Sequence, residues 1–315
     1  MMVSILIVSW NGRSDLEQCL YSLRNQTDRG FEIIVIDNHS SDGTQNFLLE
    51  EFPEVLLVEM SENLGFAEGC NRALSIASGD WIATLNQDTT VEPEWLAELK
   101  LHAISGDPLL GMLQSRILFM ERPDKYNSTG IILTPNAGGT DRDFNEPVRD
   151  NDQVGDIFCP TAGAALYRRK MLDQVCLKTG YFDRTFFMYW EDLDLGWRCR
   201  LAGWSAIYVP TATVYHRYQG SSRSRGVRFA ELQCRKNRLR SLLKNGSFYL
   251  LLTTLNQTIR DFLIGLRHGG LVAIPNLFTA IYDGLRQRRD VTALASLTRR
   301  ELEKEWVSGT GEDAR

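Results

Sequence analysis

The run Val3-Ser4-Ile5-Leu6-Ile7-Val8 decides the fold class of this 315-residue chain. It is continuously apolar and rich in β-branched residues, which is typical of a strand covered on both faces. Asn11-Gly12 ends the run, and a helical pattern precedes the next buried run, Phe31 to Ile36. Two more such runs follow, Val55 to Val58 and Trp81 to Leu85. Strands alternating with helices at this spacing predict an α/β fold whose mostly parallel sheet is flanked by helices.

Polar residues follow each of these four strands. They are Ser9 and Asn11 after the first strand, Asp37 after the second, Asn63 and Asn71 after the third, and Asn86 and Asp88 after the fourth. Ligands of open α/β sheets bind beyond the carboxyl ends of the strands, so this pattern predicts a ligand site there. The chain has no G-x-G-x-x-G and no Walker A sequence, so a dinucleotide or P-loop site is not indicated.

The net charge of −5 conceals an uneven distribution. Residues 1–216 carry 17 Lys and Arg against 31 Asp and Glu, whereas residues 217–300 carry 16 against 4. Such a split indicates two tasks, with the basic part facing an anionic surface. Nucleic acid is not the expected partner, because the aromatic residues of this part lie in apolar runs and are not interleaved with the arginines.

The six cysteines show no C-x-x-C spacing, which favours reduced packing residues in a cytoplasmic protein. The N-terminal segment lacks a basic region and its apolar run is too short for a signal peptide. Uncharged runs elsewhere also fall short of the roughly 18 to 20 residues that span a bilayer. The expected location is therefore cytoplasmic, with peripheral attachment to the inner face of the cell membrane as an option.

A block of aromatic residues, Phe186 to Trp190, leads directly into three acids, Glu191, Asp192 and Asp194. Apolar neighbours raise the proton affinity of a carboxylate, so an acid here could serve as a general base. The block is also typical of a helix start, where acidic side chains interact favourably with the positive end of the helix dipole. Asp194 is four residues before Arg198, which predicts an ion pair on one helix face.

The ordered set of motifs resembles the family 2 inverting glycosyltransferases with the GT-A fold, especially the rhamnosyltransferase-like branch. The set covers about residues 3 to 245, and no single motif in it is specific by itself. The matching pieces are Ile7 to Asn11, Val35 to Thr44, Asn63 to Asn71, Leu85 to Asp88, Phe186 to Arg198, and His216 with Ser221.

The resemblance implies a role for each candidate residue. Asp37 would contact the nucleoside of a nucleotide sugar, and the other donor-binding residues would be Ser9, Asn11, Asn63, Asn71 and Asn86. Asp88 would be the second acid of the Asp-x-Asp motif and, with His216, would hold Mg²⁺ or Mn²⁺ against the diphosphate. Asn86 replaces the first acid of that motif, which removes one charge from the metal site. Asp192 would be the catalytic base, with Glu191 orienting the acceptor or sharing that role.

The sequence predicts two regions, a GT-A nucleotide-sugar-binding and catalytic domain at 1–245 and a C-terminal amphipathic helical region at 246–315. In the second region, Leu255, Ile259 and Leu263 lie on one helical stripe, and a second apolar stretch, Leu271 to Leu285, is followed by arginines. An apolar stripe with basic flanks suits a helix lying on an anionic membrane surface. Packing on the catalytic domain or on a second subunit of a homo-oligomer fits the same pattern equally well.

The implied function is sugar transfer, of L-rhamnose from a dTDP donor, onto a lipid-linked or polysaccharide acceptor in bacterial cell-surface glycan synthesis. A UDP- or GDP-sugar donor is the alternative within the same enzyme class. From another class, a non-catalytic nucleotide-sugar or lipid-surface binding protein is the alternative, because Asn86 weakens the metal site.

Overall fold

The computed structural model of the protein describes residues 1–104, 107–218 and 227–307, except for the side chain of Val227. Ser221, which the resemblance paired with His216, lies outside the described residues. The strands are β1 (Val3–Ser9), β2 (Phe31–Asp37), β3 (Leu56–Glu59), β4 (Trp81–Leu85), β5 (Thr89–Val91), β6 (Leu110–Phe119), β7 (Arg122–Ser128), β8 (Ile131–Leu133), β9 (Gly139–Asp141), β10 (Gly155–Asp156), β11 (Ala164–Arg168) and β12 (Ser205–His216).

Helices connect and cover these strands. They are α1 (Arg13–Arg24), α2 (Thr44–Glu51), α3 (Gly65–Ile76), α4 (Trp95–Ala103), α5 (Arg169–Val175), α6 (Glu191–Leu201), α7 (Val227–Asn245), α8 (Phe248–Thr253), α9 (Leu255–Gly269), α10 (Ala273–Leu294) and α11 (Arg299–Trp306). The four strands predicted from the apolar runs are all present, with ends that differ from the predicted ones by at most one residue.

The main sheet has the strand order β10-β12-β6-β11-β4-β1-β2-β3. Strands β3, β2, β1 and β4 are parallel, as predicted. Strand β11 is antiparallel to both β4 and β6, and β12 is parallel to β6. Strands β12, β6, β4, β1, β2 and β3 therefore run in one direction, and β11 and β10 run in the other. This confirms the predicted α/β fold with a mostly parallel sheet. A parallel neighbour needs a crossover connection, and the segment between β6 and β11 contains short strands instead of a crossover helix.

Both faces of the sheet are buried, which explains why nearly every residue of β1 is apolar. Val3, Ile5 and Ile7 point into one hydrophobic core together with residues of α1, α2 and α4. Leu6 points into the other core, where α3, α5 and α6 pack. Side chains alternate along a strand, so a run that is apolar at nearly every position supplies both cores.

Residues 120–156 form β-structure, although their sequence shows little periodicity. Strand β7 pairs with β6, and β8 and β9 form a separate hairpin. The hairpin is held to the main body by a backbone hydrogen bond from Ile131 to Cys159. This segment therefore brings specific side chains to the site described below.

The C-terminal helices form a bundle on α7. Helix α10 packs along α7, and α9 packs against both. Ion pairs join them, from Arg235 and Arg238 to Asp261 of α9 and from Arg240 to Asp283 of α10. The division at residue 245 stays a prediction, and α7 on one side of it is in close contact with α10 on the other. Among the residues that the structure covers, no helix is long and apolar enough to cross a membrane.

Candidate active site

A pocket of about 530 Å³ opens beyond the carboxyl ends of β1, β2 and β4. It contains Asn63, Asn86 and Asp88, three of the residues predicted from the strand ends. Several other lining residues were not among the predicted site residues. The full lining is Val8, Trp10, Asn38, Asn63, Gly65, Phe66, Asn86, Gln87, Asp88, Phe187 and Met188. A cavity therefore lies where the ligand site was predicted, and the segment before α6 forms one of its walls.

Ser9 and Gln87 join the ends of β1 and β4. The buried hydroxyl of Ser9 donates to Gln87 Oε1 at 2.7 Å, and the backbone N–H of Trp10 donates to the same oxygen at 3.1 Å. Ser9 is thus a structural partner of Gln87 and is fully buried. It supports Trp10, whose side chain lines the pocket.

Asp37 ends β2 and is fully buried. Its Oδ2 accepts hydrogen bonds from the Ser40 N–H at 3.2 Å and from Gln45 Nε2 at 2.7 Å. Its Oδ1 is buried and has no hydrogen-bond partner among the described residues. An unpartnered buried carboxylate oxygen is costly, so this atom is a strong candidate for a ligand donor. Asn11 lies in the adjoining loop, where its side-chain oxygen accepts from the N–H of Ser41 at 2.8 Å.

Asn63 and Asn38 shape the N-terminus of α3. The Asn63 side chain accepts from the Gly65 N–H at 3.0 Å, and Asn38 donates to the Gly65 carbonyl, also at 3.0 Å. Gly65 has a φ of +84°, and a Cβ there would collide with the carbonyl oxygen of Phe187. The glycine is therefore required for close approach of the segment before α6.

Asn71, which was grouped with the polar residues that follow the third strand, lies in the middle of α3. Its Nδ2 donates to the Phe182 carbonyl at 2.7 Å, and its Oδ1 accepts from the Phe182 N–H at 3.0 Å. Because both amide atoms bond one backbone residue outside the pocket lining, we assign Asn71 a structural role and do not carry it into the proposed donor site.

Asp88 and His216 come together at the edge of the pocket, because β5 pairs with the end of β12. His216 Nε2 lies 3.3 Å from Asp88 Oδ1, and His216 Nδ1 lies 2.7 Å from Asn127 Oδ1. With the amide of Asn127 in this orientation, Nδ1 carries the proton. The imidazole is then oriented with Nε2 toward the carboxylate, which is the usual arrangement of a metal-ligating histidine.

This pair fits a divalent cation that is completed by a substrate. Within residues 1–104, 107–218 and 227–307 there is no cluster of three or more His, Cys, Asp or Glu side chains suited to a metal ion. Mg²⁺ is commonly held by only one or two protein groups together with phosphate oxygens and water. Asp88 and His216 supply two groups of that kind, and Asn86 adds an amide in the same pocket wall.

Glu191 and Asp192 begin α6, next to the segment 161–163. Asp192 Oδ2 accepts from Thr161 Oγ1 and from the Ala162 N–H, each at 3.2 Å. The neighbouring Gly163 carbonyl accepts from the Asn86 N–H at 2.9 Å. The segment 161–163 therefore contacts both Asp192, the predicted base, and Asn86, which directly follows β4.

The two acids differ in proton affinity. Burial and the adjacent Asp192 charge raise the pKa of Glu191 well above its usual range. Burial also raises the pKa of Asp192, but hydrogen bonds from Leu193, Ala162 and Thr161 oppose this effect. Asp192 is thus the better candidate for an ionised base and Glu191 for a protonated neighbour.

Asp194 is structural, as its spacing predicted. Its Oδ2 accepts from Arg198 Nε at 3.1 Å and from Lys244 Nζ at 2.9 Å, with all three side chains fully buried. Lys244 also bonds Asp183 at 2.7 Å. The network joins α6 to α7.

Asp141 at the end of β9 is a candidate that the sequence analysis missed. Burial and the charge of Asp192 raise its pKa to about 6, although a Ser128 hydrogen bond and the His216 charge lower it. Asp141 therefore lies within electrostatic reach of both the predicted base and the predicted metal ligand. No sequence signal marks it, because the segment 120–156 lacks periodicity.

Comparison with known proteins identifies the family. Residues 4–176 match the sequence model described as glycosyl transferase family 2. The chain belongs to this family. In this family 2 glycosyltransferase, the matched region contains the ends of β1, β2, β3 and β4. It stops before Glu191, Asp192 and His216.

A relative agrees with this family assignment, and solved structures show the fold. The chain is 29% identical over 243 residues to an N-acetylglucosaminyl-diphospho-decaprenol L-rhamnosyltransferase of Mycobacterium tuberculosis, covering 68% of this chain and 76% of the relative. Its fold is similar to that of GalNAc-T7 with UDP, GalNAc and Mn²⁺, with a TM-score of 0.68 and 17% identity over 97% of this chain and 56% of that one. The mannosyltransferase PcManGT from Pyrobaculum calidifontis, in complex with GDP-Man and Mn²⁺, gives a TM-score of 0.55 and 18% identity, covering 96% of this chain and 87% of that one. The protein is a glycosyltransferase with the GT-A fold.

Proposed function

We propose that this transferase moves L-rhamnose from a dTDP donor to a lipid-linked or polysaccharide acceptor, with inversion at the anomeric carbon, in bacterial cell-surface glycan synthesis. The observation that carries the proposal is the position of Asp192, which shares the segment 161–163 with the strand end that bears Asn86 and Asp88. With a base on one side of the segment 161–163 and a diphosphate site on the other, the acceptor oxygen can attack the anomeric carbon opposite the leaving diphosphate. This arrangement suits a single displacement. The relative from Mycobacterium tuberculosis, named as a rhamnosyltransferase acting on a decaprenol diphosphate, supports the choice of sugar and acceptor.

The donor would lie in the 530 Å³ pocket, with its nucleoside toward Asp37, which directly precedes the lining residue Asn38 but is not itself part of the lining. The unpartnered Oδ1 of Asp37 can accept from a ring N–H or a ribose hydroxyl, which would satisfy a buried oxygen. Trp10 and Phe66 supply apolar surface, and Asn63 and Asn86 supply amide groups. We retain Ser9 and Asn11 as supports of this pocket, because their bonds are to Gln87 and Ser41.

Asp192 would remove the proton from the acceptor hydroxyl as that oxygen attacks the anomeric carbon. The carbon–oxygen bond to the nucleoside diphosphate then breaks on the opposite face, so the configuration inverts. Glu191, whose pKa is raised, would be protonated and could donate a hydrogen bond to the acceptor. Asp88 and His216 would hold a divalent cation, which supplies charge stabilisation to the leaving diphosphate. Two solved structures of similar fold contain Mn²⁺, which supports this cofactor.

A peripheral membrane position is part of the proposal. Large apolar side chains of α9 and α10 are exposed, among them Ile259, Leu263, Phe278 and Tyr282. Arginines 260, 267, 286 and 289 are exposed on the same two helices. Exposed apolar surface beside basic side chains suits an anionic lipid surface, where a lipid-linked acceptor would be found. The competing occupant is a second subunit.

A turnover experiment tests the proposal. Purified protein with Mn²⁺ would be incubated with dTDP-rhamnose, UDP-GlcNAc or GDP-mannose and with a polyprenyl-diphosphate-linked N-acetylglucosamine acceptor, and the nucleoside diphosphate released would be measured. Transfer from dTDP-rhamnose that Asp192→Asn abolishes is the expected result. Transfer from another donor would overturn the rhamnose assignment. Donor binding without any turnover would favour the non-catalytic alternative.

A further inference from the structure

The backbone before α6 adopts a rare conformation. Phe187, Tyr189 and Trp190 have φ values of 65°, 68° and 78°, a region that residues with a side chain seldom occupy. Phe187 has a ψ of −64°, and the Met188 N–H donates to the Phe186 carbonyl at 2.8 Å. This is a tight γ-turn of the strained hand. Such a conformation persists only where the surrounding structure holds it.

Helix α7 supplies the contacts that hold it. The Nδ2 of Asn237 lies 3.0 Å from the Phe186 carbonyl, 3.1 Å from that of Met188 and 2.8 Å from that of Tyr189. Two hydrogens are thus shared among three carbonyls of one turn. Gln233 Nε2 donates to the Phe186 carbonyl at 2.6 Å, one helical turn away on the same face of α7.

The orientation of the Asn237 amide is itself determined. Its Oδ1 accepts from Arg240 NH1 at 2.7 Å, and that guanidinium also donates to the Thr185 carbonyl at 2.7 Å. Asn237 is fully buried. A carboxylate or hydroxyl in its place could not donate two hydrogens in this direction while accepting from Arg240.

The opposite side of the turn faces the donor pocket. The Phe187 carbonyl accepts from the Ala67 N–H at 3.2 Å, near the start of α3, and Phe187 and Met188 line the pocket. The turn ends at Trp190, the residue that caps α6, so its path decides where Glu191 and Asp192 begin.

We propose that Asn237 is a positioning residue for the acid pair Glu191 and Asp192, acting through the three carbonyls of the turn at 186–190. The inference rests on the proposed function, because it assigns to that pair the acceptor chemistry. Loss of the Asn237 amide releases the strained turn and displaces the start of α6 relative to the segment 161–163. Displacing a catalytic group by about 1 Å lowers turnover by as much as ~100-fold.

The test compares two buried asparagines of the same helix. Asn237→Ser removes the contacts to the turn, whereas Asn245→Ser removes a hydrogen bond of 2.8 Å to the structural Asp194. Both residues are fully buried, so both changes have a similar general cost to folding. Tm, the dissociation constant of dTDP with Mn²⁺, kcat, and hydrogen–deuterium exchange of residues 186–193 would be measured for both variants and for the unchanged protein.

The expected result is a split between the two variants. Asn237→Ser lowers kcat by at least ~10-fold and raises exchange at 186–193 by a similar factor, with dTDP affinity within ~3-fold of the unchanged protein. Asn245→Ser, at an equal loss of Tm, changes kcat less than ~3-fold. Equal kcat for the two variants, or unchanged exchange at 186–193 in Asn237→Ser, would overturn the proposal.

A second variant and the exchange measurement keep the experiment decisive. If Asn237→Ser does not fold, Gln233→Leu removes the neighbouring contact to Phe186, and unchanged exchange in that variant would overturn the proposal. The exchange measurement needs no turnover, so it also separates the two claims. Absence of turnover in the unchanged protein would count against the proposed function alone, whereas the exchange result bears on Asn237.

Discussion

His216 Nε2 lies 3.3 Å from Asp88 Oδ1, although His216 ends β12 and Asp88 lies directly before β5, far away in the sequence. The pairing of β5 with the end of β12 creates this contact, and Asn127 of β7 orients the imidazole from behind. Three strands therefore build one edge of the donor pocket.

Replacing His216 by Ala is expected to lower kcat and to weaken the apparent affinity for Mn²⁺, each by about 10- to 100-fold, because one of two protein ligands is lost. Titration of turnover with Mn²⁺ measures both effects. His102→Gln on α4 is the control variant and should behave as the unchanged protein. Unaltered Mn²⁺ dependence in His216→Ala would remove the residue from the cation site.

Asp192→Asn should lower kcat by about 100-fold or more, because an amide cannot accept the acceptor proton. Glu191→Gln should cost much less at neutral pH, since the raised pKa of Glu191 means that an uncharged side chain already occupies this position. Steady-state kinetics of both variants, with exposed Asp173→Asn as the control, measure the difference. A larger loss in Glu191→Gln than in Asp192→Asn would exchange the two roles.

Lys244→Met should destabilise the protein by about 3–5 kcal/mol, because it leaves Asp183 and Asp194 buried without their shared cation. Burial acts to raise the pKa of Asp183, but the Lys244 charge outweighs it and holds that pKa below its usual range. The corresponding stability is present above the unfolded pKa of about 3.8 and is lost as the pH falls through the folded value. Urea unfolding at neutral and acidic pH measures it, with exposed Lys178→Met as the control.

Asp141→Asn should stabilise the protein at pH values above about 6, where the native carboxylate is ionised in a half-buried position. The native protein binds the proton more tightly than the unfolded chain, so stability falls as the pH rises from 3.8 to about 6. The gain in Tm from Asp141→Asn should thus be full above this window and disappear below it. Thermal melts across the pH range test this, with exposed Asp124→Asn as the reference. A gain that is independent of pH would contradict this explanation.

Phe278→Glu should weaken flotation with anionic liposomes at low salt, because it places a charge in the exposed apolar face of α10. Leu101→Glu on α4 is a matched control, since Leu101 is similarly exposed but lies on a different helix. If the unchanged protein does not float and instead sediments as a dimer that Phe278→Glu dissociates, the face is a subunit contact.

The position of the pocket beyond the strand ends could largely be predicted from the sequence. Residues at strand ends are marked by local patterns, and the order of a parallel βαβ unit brings those ends to one edge. Asn63, Asn86 and Asp88, which were predicted in this way, line one pocket. Asn71 does not line it, because this residue lies inside α3 and its amide bonds the backbone of Phe182.

The residues around the acid pair Glu191 and Asp192 were less predictable from the sequence. Asp141 comes from a hairpin in a segment with no periodicity, and its raised pKa arises from burial and from the charge of Asp192 in α6. Asn237 lies in a stretch that reads only as a basic helix, and its role depends on three carbonyls elsewhere in the chain.

Local chemistry was sufficient for the strands of the N-terminal half and for the i,i+4 pair of Asp194 and Arg198, because alternation and helical spacing are properties of neighbouring residues. The antiparallel insertion of β11, the meeting of Asp88 with His216, and the strained turn before Glu191 were decided by tertiary structure. Each of these depends on contacts between residues distant in sequence, and on backbone conformations that are stable only when those contacts have formed.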